Sequence, residues 1–256
     1  IKYFMKDNSG PGQSRNYGAA HSTGEYLLIL DSDVVLPTRY LAAIEDELRR
    51  EPADAFGGPD CAHESFTDKQ KAISYAMTSF FTTGGIRGGK KKLDKFYPRS
   101  FNMGIRRDVY ETLGGFSKMR FGEDIDFSIR IFKAGYSCRL FPKAWVWHKR
   151  RTDFRKFWRQ VYNSGIARIN LYKKYPDSLK LVHLLPMVFT LGCAFLAFLF
   201  LLGIILFFVL PAGMPQATGL GLSILALQPL ILYSFLIFTD ATSKNNSAKI
   251  GILSIA

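Results

Sequence analysis

Cysteine is scarce in this chain of 256 residues. The three cysteines, Cys61, Cys138 and Cys193, contain no Cys-x-x-Cys pair, so neither a zinc knuckle nor a disulfide framework is indicated. An odd number of scattered cysteines fits a reducing compartment.

Charge is absent from one long stretch, since no Lys, Arg, Asp or Glu occurs between residues 181 and 239. This run is far longer than the ~20 apolar residues that span a bilayer. We therefore expect membrane spans near residues 184–210 and 219–238, and the start of a third near residue 250. A buried hairpin in a soluble protein is the alternative.

The rest of the chain is basic, with 34 Lys and Arg against 21 Asp and Glu and a net charge of +13. Basic residues crowd between Lys149 and Lys180, directly before the uncharged run. This placement is typical of a membrane protein, and no nucleic-acid partner is expected. Lys244 and Lys249 follow the second span, so residues 1–180 and the 239–249 loop are predicted to be cytoplasmic. The predicted protein is a multi-pass protein of the cell membrane.

Residues 151–180 are predicted to form a basic amphipathic region between a domain at 1–150 and a membrane region at 181–256. From residue 152 to 175, apolar residues recur at helical spacing, with Arg and Lys on the other sides. Trp158 and Phe157 on the apolar face favour a helix that lies in the membrane interface. An ordinary helix facing a protein core is the alternative.

The apolar run of residues 26–30 ends at two acids, Asp31 and Asp33. An unbroken run of this kind predicts a strand buried on both faces, in the middle of an α/β sheet. The carboxyl ends of such strands are where ligands bind. Mg²⁺ or Mn²⁺ bridging to a phosphate is the natural partner of two adjacent carboxylates. The alternative is a polar turn in which Asp33 caps the next helix.

Residues before this strand supply a candidate phosphate site. Residues 1–5 are predicted to form a strand, and Ser14 is predicted to cap a short helix that carries Arg15 and Asn16 in its first turn. A helix N-terminus with an adjacent arginine suits a phosphate. A surface arginine beside a loop is the alternative.

A second group of acids, Glu123, Asp124 and Asp126, begins a predicted helix. Acids stabilise a helix N-terminus, but three acids exceed what capping needs, so at least one is free to act as a base. His148 ends a predicted strand and precedes a basic run, which makes it a ligand candidate. Capping and a structural histidine are the respective alternatives.

Residues 84–92 contain four glycines and end with Lys90, Lys91 and Lys92. We expect an open loop that is able to contact anionic lipid or a diphosphate. A plain solvated loop is the alternative.

The ordered set of motifs resembles family 2 glycosyltransferases of the GT-A fold over roughly residues 1–175. The resemblance implies an α/β fold, a partial GT-A (Rossmann-like) domain that lacks its first strands, followed by transmembrane helices. The motifs are Arg15-Asn16-Tyr17-Gly18, Asp31-Ser32-Asp33, Gly114-Gly115-Phe116, Gly122-Glu123-Asp124 and His148.

The resemblance also implies a reaction: transfer of a sugar, with inversion, from a nucleotide-sugar donor to a hydroxyl of a saccharide or lipid-linked acceptor. It implies Mg²⁺ or Mn²⁺ as the cofactor and membrane lipids as partners. The residue roles that it implies are metal binding by Asp33, Asp31 and His148, donor binding by Arg15, Asn16, Asp31 and Asp33, and catalysis by Asp124 with Glu123 beside it.

Two departures from the family qualify this hypothesis. The missing first strands include the one whose loop holds the nucleotide base, so part of the donor pocket is expected to be absent. The Gln-x-x-Arg-Trp signature of processive synthases is absent after Gln160, which favours transfer of a single sugar. The competing hypotheses are a processive synthase, a non-catalytic membrane adaptor with a degenerate transferase domain, and a basic module that binds anionic lipid.

Overall fold

A computed structural model describes residues 2–83 and 96–255, without the side chains of residues 214 and 215. The predicted loop with Lys90, Lys91 and Lys92 lies outside the described residues. The strands are β1 (Tyr26–Leu30), β2 (Val34–Val35), β3 (Ala55–Gly57), β4 (Asp60–Cys61), β5 (Asn102–Arg106), β6 (Cys138–Leu140) and β7 (Val146–His148). The helices are α1 (Pro11–Ala20), α2 (Tyr40–Arg50), α3 (Asp68–Thr78), α4 (Phe80–Thr83), α5 (Arg107–Thr112), α6 (Glu123–Lys133), α7 (Phe154–Lys174), α8 (Leu185–Val209), α9 (Met214–Asn245) and α10 (Ala248–Ile255).

The described strands form two mixed sheets. In the larger sheet the order is β1-β5-β3-β6, with β5 antiparallel to both of its neighbours and β6 parallel to β3. In the smaller sheet the order is β2-β7-β4, with β7 antiparallel to β2 and parallel to β4. The α/β fold class is confirmed.

Apolar residues pack on both faces of the larger sheet. On one face, Phe127 and Ile131 of α6 pack with Met103 and Ile105 of β5. On the other face, Ile44 of α2 belongs to a cluster with Phe56 and Phe141. Phe56 and Phe141 stack with their centroids 4.4 Å apart.

Two predictions about the N-terminal strands are wrong. Residues 2–5 are not in a strand, and Tyr3 and Met5 are exposed, because nothing in the described chain covers them. Within residues 2–83 and 96–255, β1 pairs only with β5, so it lies at the edge of the sheet rather than in its middle. Its side chains reach both core clusters, which explains the apolar run, but Leu28 is still 37% exposed.

The start of α1 also differs from the prediction. The helix begins at Pro11, after Gly10 with φ of 90°, and Ser14 lies inside it. The Ser14 hydroxyl donates to the Gly10 carbonyl oxygen at 3.0 Å and does not cap the helix. Proline is favoured at the first position of a helix because its missing N–H has no partner there anyway. Arg15 therefore lies in the second turn.

Two segments, Leu181–Val209 and Gln216–Asn245, are long and apolar enough to cross a membrane, with mean hydropathies of 2.9 and 2.0. They correspond to the two predicted spans. The prediction of a loop over residues 239–249 is wrong, because most of this segment is helical: α9 continues to Asn245 and α10 begins at Ala248.

The helix α3 joins the α/β domain to the apolar helices. On one side, the Gln70 amide donates to the Arg150 carbonyl oxygen at 3.0 Å. On the other, the Tyr75 hydroxyl donates to Asp240 of α9 at 2.7 Å, and Lys249 of α10 pairs with Asp68 at 2.8 Å. The same short helix thus contacts both parts of the molecule.

Candidate active site

The two strand-end acids and the histidine meet at the carboxyl end of β1. The chain turns after Asp31, whose carbonyl oxygen accepts from the Val34 amide at 3.3 Å, and it then enters β2. Because Val34 pairs with His148 across β2 and β7, the histidine lies beside Asp33. One ligand atom each from Asp31, Asp33 and His148 lies within 4.8 Å of the others.

The chemistry of these donors fits a hard divalent cation. Two carboxylates and one imidazole match the ligand preferences of Mn²⁺, and the carboxylates also suit Mg²⁺. His148 Nε2 lies 3.4 Å from Asp33 Oδ1, and the imidazole ring stacks on Phe101 with centroids 4.8 Å apart. The stacking restricts the plane of the ring, and the ring nitrogen Nε2 faces the Asp33 carboxylate.

Arg15 connects this group to the second acid cluster. Its guanidinium donates to Asp31 at 2.9 Å and to Glu123 at 2.7 Å, and its carbon lies 5.4 Å from the centre of the Phe116 ring. Burial alone would lower the pKa of Arg15, but the two carboxylates more than offset this, so its pKa is raised. The side chain stays charged and is held in place.

Glu123 and Asp124 begin α6 after Gly122, whose φ of 83° suits glycine. The Asp124 carboxylate accepts from Arg99 at 2.7 Å. Burial raises the pKa of Glu123, and the neighbouring charge of Asp124 raises it further, which outweighs the opposing effect of Arg15. The two adjacent carboxylates are thus paired with different arginines, Glu123 with Arg15 and Asp124 with Arg99.

Asp126, the third acid of the cluster, has a structural role. Its side chain is 0% exposed and pairs with Arg130 at 3.1 Å and Lys174 at 2.5 Å. Tyr175 donates to it at 3.0 Å. Burial would raise the pKa of Asp126, but the bonds from Lys174 and Tyr175 lower it below its usual value. It fixes α7 against α6.

Asn16 follows Arg15 in α1, but its side-chain amide bonds to other parts of the protein rather than to the site. The amide nitrogen donates to the Phe116 carbonyl oxygen at 2.9 Å. The amide oxygen accepts from the Tyr110 hydroxyl at 2.6 Å and from the Phe116 amide at 2.8 Å. The predicted donor-binding role stays a prediction, whereas the structure shows that Asn16 holds the loop beside Arg15.

The sequence reasoning missed three charged residues around the site: Arg99, Asp60 and Arg150. Asp60 lies 3.6 Å from His148 Nδ1 and 2.5 Å from Arg150. Burial would raise the pKa of Asp60, but His148 and Arg150 together lower it well below its usual range. The sequence feature that could have indicated Asp60 is its position directly after Gly57-Gly58-Pro59, a turn at the end of a short strand.

The predicted residues are thus brought together with one difference in orientation. Asp31, Asp33 and His148 form one group, Glu123 and Asp124 form the other, and Arg15 bonds to both. The Asn16 amide instead bonds to Phe116 and Tyr110 and contacts neither group of acids.

The chain is similar in sequence to known glycosyltransferases. The sequence profile of "Glycosyl transferase family group 2" matches residues 26–239. "Probable glycosyltransferase YdaM" of Bacillus subtilis is 28% identical over 173 residues, which are 64% of this chain and 40% of that protein. "Succinoglycan biosynthesis protein ExoM" of Rhizobium meliloti is 29% identical over 153 residues, 57% of this chain and 47% of that protein.

Among solved structures, a mannosyltransferase, PcManGT from Pyrobaculum calidifontis in complex with GDP-Man and Mn²⁺, aligns with 97% of this chain and 66% of that chain. The identity is 16% and the TM-score is 0.47. The chain spans less than half the length of the two curated relatives named above. Because the family profile covers most of the sequence, the chain belongs to glycosyl transferase family group 2.

Proposed function

We propose that the protein transfers a sugar from a nucleotide-sugar donor to a hydroxyl group of a saccharide or lipid-linked acceptor. The observation that carries the proposal is the linkage of two acid clusters, at Asp31 and at Glu123, through the one partly buried guanidinium of Arg15. Such a reaction needs one group of charges for the diphosphate and another for the acceptor proton. The likeness to a succinoglycan biosynthesis protein supports a role in polysaccharide synthesis.

In this proposal, Asp31, Asp33 and His148 hold Mg²⁺ or Mn²⁺ at the donor diphosphate. When bound, the ion supplies positive charge for the developing charge of the leaving group. Arg15 is the residue of this chain that donates N–H groups to the same phosphates, since a guanidinium matches phosphate oxygens in a bidentate manner.

The acceptor side is assigned to α6. The acceptor oxygen forms a bond to the anomeric carbon while the bond to the diphosphate breaks, and Asp124 takes the hydroxyl proton. Attack on the face opposite the leaving group gives inversion. Glu123 beside it keeps the local charge negative, and Arg99 orients the Asp124 carboxylate through the 2.7 Å bond.

The membrane assignment is supported by two features. The helices α8 and α9 have the length and composition of spans. On α7 the aromatic and aliphatic face is exposed, notably at Trp158, Tyr162 and Ile169, while Arg155 and Arg159 are also exposed. A basic helix with an exposed apolar face suits the interface of a bilayer. We infer a multi-pass protein of the cell membrane with its catalytic domain in the cytoplasm, next to the lipid.

The test uses the full chain in nanodiscs, a set of nucleotide sugars and release of nucleoside diphosphate as the signal. We expect release with Mg²⁺ or Mn²⁺ and none after chelation. Asp33→Asn should reduce the rate by roughly 10²–10³-fold, because it removes charge at the diphosphate. The matched control is Asp46→Asn on the exposed side of α2, which should leave the rate unchanged. Metal-independent release, or full activity of the Asp33 variant, would contradict the proposal.

A further inference from the structure

The smaller sheet places His148 between two aspartates. Its strand, β7, is the central strand of the order β2-β7-β4. On one side the register sets His148 opposite Val34, next to Asp33. On the other side Asp60 pairs with Val146, two residues before the histidine. The register alone therefore brings one carboxylate to each edge of the imidazole.

The two ring nitrogens have different surroundings. Nε2 lies 3.4 Å from Asp33 Oδ1, on the side of the candidate metal ligands. Nδ1 is buried, has no hydrogen-bond partner among the described residues, and lies 3.6 Å from Asp60 Oδ2. A small rotation of either side chain closes that gap to a hydrogen bond.

Asp60 is fixed as an anion by the groups behind it. Arg150, with a side chain only 4% exposed, pairs with Asp60 Oδ2 at 2.5 Å. The Arg150 Nε–H donates to the Ser74 hydroxyl at 3.4 Å, and the Arg150 carbonyl oxygen accepts from Gln70 of α3. The carboxylate is thus positioned from the protein interior and faces the ring.

We propose that Asp60 is a positioning residue for the metal site, which accepts the Nδ1 proton of His148 and so presents the Nε2 lone pair to the cation. An ionised carboxylate can only accept, so the nitrogen that faces it carries the proton. In a neutral imidazole the other nitrogen then has the free lone pair that a metal requires. Carboxylate partners of this kind orient metal-binding histidines and raise their basicity. The inference rests on the metal site of the proposed function.

The first test measures the tautomer of His148 in the metal-free full chain. Long-range ¹H–¹⁵N NMR at alkaline pH distinguishes Nδ1–H from Nε2–H imidazoles, and loss of one signal in a His148→Gln variant assigns it among the four histidines. We expect the Nδ1–H form in the wild type and a larger Nε2–H fraction in Asp60→Asn. An Nε2–H tautomer in the wild type would overturn the inference.

The second test measures Mn²⁺ binding by electron paramagnetic resonance, with ¹⁴N modulation as the signature of the imidazole ligand. Asp60→Asn should weaken affinity by about 10–100-fold and reduce the ¹⁴N signal, the range found for outer-shell partners. Asp60→Glu, which keeps an acceptor, should recover part of the loss. The control is Asp54→Asn, which removes a carboxylate paired with Arg106 at 2.8 Å, away from the site.

The outcomes separate the two proposals. Equal Mn²⁺ affinities and ¹⁴N signals in the Asp60→Asn and Asp54→Asn variants would overturn the positioning role and leave the metal site standing. A wild-type chain that binds no Mn²⁺ would overturn the metal assignment and the positioning role together.

Discussion

At the scale of single residues, Glu123 and Asp124 are neighbours that face different partners. Glu123 bonds to Arg15, which also bonds to Asp31, whereas Asp124 bonds to Arg99. Arg99 is the more exposed of the two arginines, so the Asp124 carboxylate can exchange its partner for a substrate hydroxyl more readily. This difference favours Asp124 as the base.

We expect Asp124→Asn to lower kcat by roughly 10²–10⁴-fold, because an amide cannot take the acceptor proton. Donor affinity should change little, since the metal and phosphate groups remain. Transfer kinetics and donor binding, measured on the same preparation, check this. A Glu123→Gln variant that loses more kcat than Asp124→Asn would reverse the assignment of the two acids.

Asp126 gives a prediction about stability and pH. Its folded pKa is below its usual value of 3.8, so its contribution is fully present above pH 3.8 and is lost as the pH falls through the folded pKa. Asp126→Asn should cost about 3–5 kcal/mol, because Arg130 and Lys174 lose a buried counter-charge. Thermal unfolding between neutral and acidic pH should show that the difference from wild type shrinks at acidic pH. A constant difference would contradict it.

The types of the site residues could be predicted from the sequence, but their pairing could not. An acid pair after an apolar run predicts a candidate cation site, and the later motifs of the chain favour this over a capping role. By contrast, the bonds of Asn16 to Phe116 and Tyr110 join residues about 100 positions apart. Asp60 gives a similar example, because its role depends on Arg150 in a distant loop. Such contacts depend on the tertiary fold rather than on local spacing.

At the scale of elements, β5 carries a glycine where a ring from β3 needs room. Gly104 pairs with Phe56, and a Cβ at Gly104 would lie 2.0 Å from that ring. The ring in turn stacks on Phe141 of the loop after β6. The absence of a side chain at Gly104 lets the ring lie flat against the sheet.

Gly104→Ala should therefore destabilise the chain by about 1–3 kcal/mol or more, through overpacking. The matched control is Gly18→Ala in α1, where a Cβ would meet nothing within 4 Å. That change should stabilise the helix by up to about 1 kcal/mol. Chemical denaturation of both variants tests the pair, and equal stabilities would show that the ring can move aside.

The edge position of β1 illustrates what periodicity cannot predict. An apolar run shows that both faces of a strand are covered, and both faces of β1 do contact core clusters. It does not report whether hydrogen-bonding partners lie on both edges, because side chains and backbone bonds point in perpendicular directions. The helix α7 was easier to predict, since its apolar residues recur at helical spacing.

At the scale of the whole molecule, α3 connects the α/β domain to the apolar helices through Asp240. That carboxylate accepts from Tyr75 at 2.7 Å, from Ser79 at 3.2 Å and from Lys244 at 2.8 Å. The sequence places Asp240 two residues after the second predicted span but gives no sign of this contact. Two of its partners, Tyr75 and Ser79, lie 165 and 161 residues earlier in the chain.

Asp240→Ala should leave the buried Tyr75 hydroxyl without its acceptor, a loss of about 1–3 kcal/mol. We expect faster hydrogen–deuterium exchange in α3 of the full chain in nanodiscs, with little change in α2. Asp177→Ala, at an exposed position after α7, is the control. Unchanged exchange in α3 would show that the apolar contacts of Tyr75 with Ile237 and Ala241 are sufficient.

The pairing of Arg15 with two carboxylates has a consequence for the proposed reaction. Each of its terminal nitrogens already holds a carboxylate, Asp31 on one and Glu123 on the other. A diphosphate that takes the place of Glu123 on Arg15 would leave that carboxylate without its counter-ion beside Asp124. Removing that counter-ion makes the acid pair more basic. In the proposed reaction, binding of the nucleotide sugar would thus favour deprotonation of the acceptor and couple the two substrates.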